Sequence, residues 1–204
     1  MRRKTGMICL ILGVVCLVSA IALLCYNTME SRHAMESSRD ILTRMQSVQE
    51  QQPEATADPY ENHVDTYDQA AREMTLKEID GYEYIGYLSI PVLEQELPVM
   101  SEWDYDRLKI APCRQYGSTK TDDLVIAAHN YASHFGRLSQ LRAGDLLTFT
   151  DMDAAVVVYE VIAVDVLDPA AVEVVKNSDF DLVLYTCTYG GESRIAVFCN
   201  RMEL

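Results

Sequence analysis

Positive charge is what this chain has least of. Lys and Arg number 17 against 31 Asp and Glu, for a net charge of −14 at pH 7. Such a surface repels phosphate backbones, which excludes a nucleic-acid binder and disfavours electrostatic docking on an anionic bilayer. Cysteine is also sparse: six thiols, with Cys9, Cys16 and Cys25 inside one apolar stretch, are too few and too scattered for a disulfide framework. No internal repeat or low-complexity tract is present. A length of 204 residues accommodates one domain plus an appendage.

Only one long hydrophobic run exists. Residues 7–26 carry no charge, and about 20 apolar residues at a rise of about 1.5 Å each cross a hydrocarbon core of about 30 Å. Arg2, Arg3 and Lys4 precede the run, so the positive-inside rule places the N-terminus in the cytoplasm and the remainder outside. A cleaved signal peptide ending near Val18-Ser19-Ala20 is the rival reading. The run continues well past that point, which favours an uncleaved anchor with Tyr26 at the outer interface. From Asn27 to about Leu76 the chain turns polar, with Glu30, Arg32, Glu36, Arg39, Asp40 and Arg44 between spaced apolar residues. Met35, Ile41, Leu42 and Met45 fall near a helical stripe that ends before Pro53. The segment reads as a solvated stalk, partly helical. The expected layout is a tail and anchor over 1–27, the stalk over 28–76 and a folded domain over 77–204.

Within that domain the β-branched content dominates. A short helical piece is expected at 69–79. Strands follow at 84–90, ended by Pro91, and at 93–100. Asp104 is the candidate cap of a helical turn at 104–109, and 112–123 reads as loop. A strand over 124–131 leads into a short helix at 133–141 with Ser133 as its cap. Further strands are expected at 146–150, 155–164, 181–188 and 192–198, with one helical turn near 170–176. Seven or eight strands with few helices predict a mainly β fold, a closed or nearly closed barrel, because closure removes exposed edges.

The chemistry concentrates at two strand ends. The run Leu182-Val183-Leu184-Tyr185-Thr186-Cys187-Thr188 ends in a thiol, turns at Gly190-Gly191 and returns with Arg194. Glycine accepts the positive φ of a hairpin turn. Alternation puts Val183, Tyr185 and Cys187 on one face and Arg194, Ala196 and Phe198 on a face of the returning strand, so thiol and guanidinium can meet. A thiol at a strand end is ordinarily a small buried hydrophobe. Here His129 closes a second apolar run, Leu124-Val125-Ile126-Ala127-Ala128, and Cys, His and a cation make the minimum set for acyl transfer through a thioester. His134 competes with His129 but sits at a helix start, whereas His33 and His63 lie in the polar segment without chemical company. A zinc site from His129, His134, Cys113 and Cys187 has no recognised ligand spacing. Cys113 and Cys199 are bystanders or a pair. An ordinary strand arginine at 194 would instead bridge to Glu192 or Asp181.

These stretches resemble a sortase, the membrane-anchored transpeptidase of Gram-positive cell surfaces. The residues around Thr186-Cys187-Thr188 are similar to the family's threonine-x-threonine-cysteine strand, with Tyr185 at the variable position and Leu184 in place of the first threonine. The strand delivering His129 matches, with Ala128 where glycine is usual, and Arg194 falls seven positions after Cys187. The likeness covers about residues 77–201. It implies that Cys187 attacks a threonine carbonyl in an LPXTG-like sorting signal. His129 then protonates the leaving amine, and Arg194 steadies the oxyanion. A peptidoglycan cross-bridge or pilin amine resolves the thioester. Asp58-Pro59-Tyr60 is similar to the lid of pilus-building members. Asp122, Asp123 and Glu173 lie in loops where some members bind calcium, which leaves calcium open without assigning a metal site, and no other cofactor is expected. The chain ends at Leu204 without a second apolar run, which favours an anchoring role over pilus building. A hydrolytic cysteine peptidase and a non-catalytic surface-binding module are the alternatives.

Overall fold

The β-branched runs become strands in the computed structural model, which describes residues 2–50, 73–170 and 172–203. The nine strands are β1 (Lys77–Ile79), β2 (Tyr82–Ile90), β3 (Gln95–Met100), β4 (Cys113–Tyr116), β5 (Leu124–Ala127), β6 (Leu146–Asp151), β7 (Val156–Leu167), β8 (Leu182–Cys187) and β9 (Arg194–Arg201). Their order is β1-β2-β3-β4-β5-β8-β9-β7-β6, and β6 pairs back onto β2. Eight strands therefore close a barrel, and β1 is an extra strand against the start of β2. Two neighbour pairs, β3–β4 and β5–β8, are parallel.

Closure depends on one glycine. Gly86 pairs with Asp151 where β2 meets β6, and its φ is +147°. A Cβ there would lie 2.1 Å from the Thr150 carbonyl oxygen, so any side chain would force the two strands apart. The barrel interior is filled by alternate residues of the strands, among them Leu88, Val99, Ile126, Phe149, Tyr159, Leu184, Val197 and Cys199. Outside, a short helix, α2 (Val172–Lys176), brings Val175 onto Val125, Val183, Ala196 and Phe198.

Three local expectations change. The helical piece expected at 69–79 is, over its described residues, bend and strand: Asp80 and Gly81, at φ 53° and 80°, make a tight turn that pairs β1 with β2. Asp-Gly is a strong hairpin dipeptide and outweighs the weak helical spacing. The expected loop at 112–123 contains β4, a four-residue strand between a parallel and an antiparallel neighbour. The expected helix at 133–141 is a series of turns ending in a 3-10 turn at Leu138–Gln140, and Ser133 caps nothing there. The capping role of Asp104 holds: its Oδ1 accepts from the N–H groups of Asp106 and Arg107 at 2.7 and 2.8 Å. Asp58-Pro59-Tyr60 and His63 lie outside the described residues.

The polar segment departs most from a solvated stalk. A single helix, α1 (Arg2–Glu50), runs through the apolar stretch and on past it. It is long and apolar enough to cross a membrane. Beyond Tyr26 it lies against the barrel: Ala34, Ser38, Ile41, Leu42 and Met45 are buried, at the spacing of one helical stripe. Met45, fully enclosed, packs in one cluster with Ile79, Tyr84, Met100 and Cys113. Met35 faces outward instead, 39% exposed, and Ala34 takes its place. The charged residues that suggest a stalk occupy the other faces, and Arg44 pairs with Asp80 at 2.5 Å. Truncating Met45 to alanine is expected to weaken this docking by about 2–5 kcal/mol. Hydrogen exchange should then show lost protection over 34–45 while the barrel strands keep theirs.

Candidate active site

Parallel pairing brings the histidine and the thiol to the same end of the sheet. Leu124 to Ala127 pair in register with Leu182 to Tyr185. Two residues further along the two strands come His129 and Cys187, so the same register, continued, brings them to one edge. The register is held on both sides of that position. The Ala128 N–H donates to the Tyr185 carbonyl at 3.2 Å, and the buried Thr186 hydroxyl donates to the Ala128 carbonyl at 2.8 Å. Just past the pair, Asn130 Nδ2 donates to the Thr188 carbonyl at 3.3 Å.

Arg194 completes the row from the other side, since Cys187 and Arg194 are direct antiparallel partners. The intervening turn uses positive φ at Gly190 and Gly191. Thr188 and Ser193 close it: the Thr188 N–H donates to the Ser193 carbonyl at 2.9 Å, and the Ser193 N–H to Thr188 Oγ1 at 3.1 Å. Among the described residues no carboxylate is paired with Arg194, so the surface ion pair with Glu192 or Asp181 does not form. Its Nη1 donates instead to the carbonyls of Gly191 and Ser193, at 3.1 and 3.0 Å. Asp181 accepts from the Arg201 N–H.

All three side chains share the outer face of the barrel. They follow the parity of Val125, Val183 and Ala196, which lie under α2, and oppose that of Ile126, Leu184 and Val197, which fill the interior. His129, Cys187 and Arg194 are each half-buried. Burial moves His129 below its ordinary value; the Glu30 carboxylate opposes that shift and the Lys109 ammonium adds to it. His134 is not a rival: it is fully buried, and desolvation holds it near 4, neutral at physiological pH. Tyr185, two residues before Cys187, donates its hydroxyl to Gln115. Its burial raises it to about 12, with Arg194 and Cys187 both close enough to act on it.

The other thiols are elsewhere. Cys113 and Cys199 are unpaired and buried in separate clusters, so they form no disulfide with each other. The carboxylates considered for calcium have protein partners: Asp122 pairs with Arg201 at 2.9 Å, Asp123 accepts from the Ser118 N–H at 3.0 Å, and Glu173 accepts from Asn177. Four supporting residues were not legible as such in the sequence: Asn130, Tyr131, Ser193 and Glu30. Glu30 accepts from the Tyr131 hydroxyl at 3.1 Å, across 101 residues of chain. Only Asn130, next to His129, carried a local signal.

Residues 88–202 match the family model of the sortase domain. Solved structures agree in fold. Sortase C of Streptococcus pneumoniae aligns with a TM-score of 0.59 at 22% identity over 81% of this chain and 98% of its own. Sortase A from Corynebacterium diphtheriae gives 0.55 at 18% identity over 88% and 94%. Sortase C from Clostridium perfringens gives 0.52 at 23% identity over 83% and 91%. No curated protein sequence matches the chain. The family model spans more than half of the chain and contains the whole row of His129, Cys187 and Arg194, and the chain belongs to the sortase family of cysteine transpeptidases.

Proposed function

We propose that this sortase cleaves an LPXTG-like sorting signal and transfers the protein bearing it to an amine of the cell wall or of a pilin. The adjacency of His129, Cys187 and Arg194 on one outer face supports this reading above all. Cys187, as thiolate, adds to the carbonyl carbon of the scissile peptide bond, and Arg194 faces the oxyanion that forms. A fixed donor at such an oxyanion is worth about 2.7–4 kcal/mol, and a guanidinium keeps its charge across the working pH range. As the C–N bond breaks, the departing amine takes a proton from the His129 imidazolium, leaving a thioester on Cys187. An incoming amine attacks that thioester, gives a proton back to His129 and expels the thiolate. The apolar part of α1 anchors the enzyme with its N-terminus in the cytoplasm and the barrel outside, as Arg2, Arg3 and Lys4 dictate. No cofactor takes part.

Intact-mass analysis of the full chain in detergent micelles with LPXTG-type peptides tests this directly. The expected product is a thioester adduct on Cys187, absent in Cys187→Ala and released by hydroxylamine or triglycine. Release by water alone would make the enzyme a peptidase. Absence of any adduct would remove LPXTG-like peptides as substrates. Arg194→Ala should lower the acylation rate by about 10²- to 10³-fold.

Thiol reactivity gives a second check. Burial pushes the Cys113 thiol up to about 12 and raises Cys199 as well, so both stay protonated and shielded near neutral pH. Brief iodoacetamide treatment followed by peptide mapping should label Cys187 and leave these two unmodified.

A further inference from the structure

The helix that carries the apolar run reaches the loop holding His129. Glu30, one turn beyond Tyr26, accepts from the Tyr26 hydroxyl at 2.8 Å and from the Tyr131 hydroxyl at 3.1 Å. Ser31 Oγ donates to Ser133 Oγ at 3.2 Å. The Tyr131 ring lies 5.0 Å from the His129 ring and 5.6 Å from that of His134. The loop is otherwise wound on itself. The N–H groups of His134 and Gly136 both donate to the Tyr131 carbonyl at 2.9 Å, and the Phe135 N–H donates to the His129 carbonyl at 3.2 Å. Gly136 sits so close that a Cβ would be 2.4 Å from the Asn130 carbonyl oxygen. The contacts from α1 are therefore an external hold on a tight loop.

We propose that Glu30, acting through Tyr131, is a positioning residue for the general acid His129. Its carboxylate fixes Tyr131, whose ring walls one side of the imidazole, and its negative charge faces the imidazolium that catalysis needs. The inference rests on His129 being the acid of the proposed transpeptidation. The other charged and titratable groups facing the site act differently. Lys109, on the 3-10 turn Arg107–Lys109, opposes Glu30, though Asp106 holds it at 2.7 Å. His134 is neutral. Cys187 and Arg194 lie beyond His129 on β8 and β9. Among the described groups that act on His129, Glu30 is the one favouring its charged form.

The test is an NMR titration of the full chain in detergent micelles with ring-labelled histidine, run beside acylation kinetics. Glu30→Gln keeps the shape and an acceptor for Tyr131 but removes the charge, whereas Tyr131→Phe keeps the ring and removes the tie. In Glu30→Gln the His129 midpoint should fall by about half a pH unit, so the imidazolium is lost at lower pH. The acylation kcat should drop by up to about threefold at unchanged KM, the factor that half a unit of midpoint gives, and Glu30→Asp should recover part of it. Tyr131→Phe should lower kcat with a smaller movement of the midpoint. An unmoved His129 midpoint in Glu30→Gln, with the buried His134 resonance unchanged as the folding control, would overturn the proposal. The titration needs no peptide substrate. If no peptide acylates the wild-type chain, the functional reading fails while the titration still decides the positioning.

Discussion

Parallel pairing between β5 and β8 determines where the rest of the chain must go. Two strands running the same way end at the same edge, so residues that follow them, His129 and Cys187, emerge together. An antiparallel pair would put the two at opposite ends of the barrel. Parallel neighbours need a long crossover, and residues 128–181, with β6, β7 and α2, provide it. The crossover also builds the barrel wall that closes on Gly86, so the geometry of the pair and the closure of the fold are one constraint. Register matters as much as direction. A slip of one residue would turn Cys187 inward and Thr186 outward. Thr186 resists that slip, because its inward hydroxyl has a dedicated acceptor in the Ala128 carbonyl.

The separation of inner from outer face then sorts side chains of similar type into different chemistry. Cys187 and Cys199 are both strand thiols on neighbouring strands, twelve residues apart. Cys199 points into the interior among Tyr159, Leu182 and Val197, where desolvation keeps a thiol protonated. Cys187 points out, at the rim, beside an imidazole and a guanidinium. His134 and His129 divide in the same way: one is enclosed and neutral, the other half-buried with a carboxylate on one side and an ammonium on the other. Type of residue decides little in either pair: strand parity sorts the thiols, and enclosure within the loop sorts the histidines.

Much of this was open to reading in the amino-acid order. The β-branched runs, the turn at Gly190-Gly191 and the pairing of Cys187 with Arg194 follow from period-two alternation, which is a local property. The eight-stranded closure followed from counting strands and asking where their edges go. What escaped was the non-local part. The strand β4 is only four residues long and includes Arg114 and Gln115, so neither hydrophobicity nor length marks it. The docking stripe of α1 is thin, with Ala34 and Ser38 supplying two of its positions, and small residues leave little trace in a hydropathy pattern. Glu30 looks like any exposed helix carboxylate until the fold brings Tyr131 to it from a distant loop.

The docked helix also bears on how the site stands relative to a membrane, given the anchoring proposed above. Between Val14 and Glu50 the chain has neither glycine nor proline, the residues at which helices most readily bend, and α1 runs through this stretch unbroken. Glu30 lies four residues beyond Tyr26, about 6 Å along the axis. The helix therefore sets the height of the His129 loop as a stiff strut, within a turn or two of the end of the apolar run. Charge would not achieve this: every one of the 31 acidic residues lies beyond Tyr26, and such a surface is repelled by an anionic bilayer rather than drawn to it. Apolar contacts of Ile41, Leu42 and Met45 with the barrel hold it at that height instead. These contacts are insensitive to salt in a way that electrostatic docking is not, so the distance between anchor and site is a property of packing.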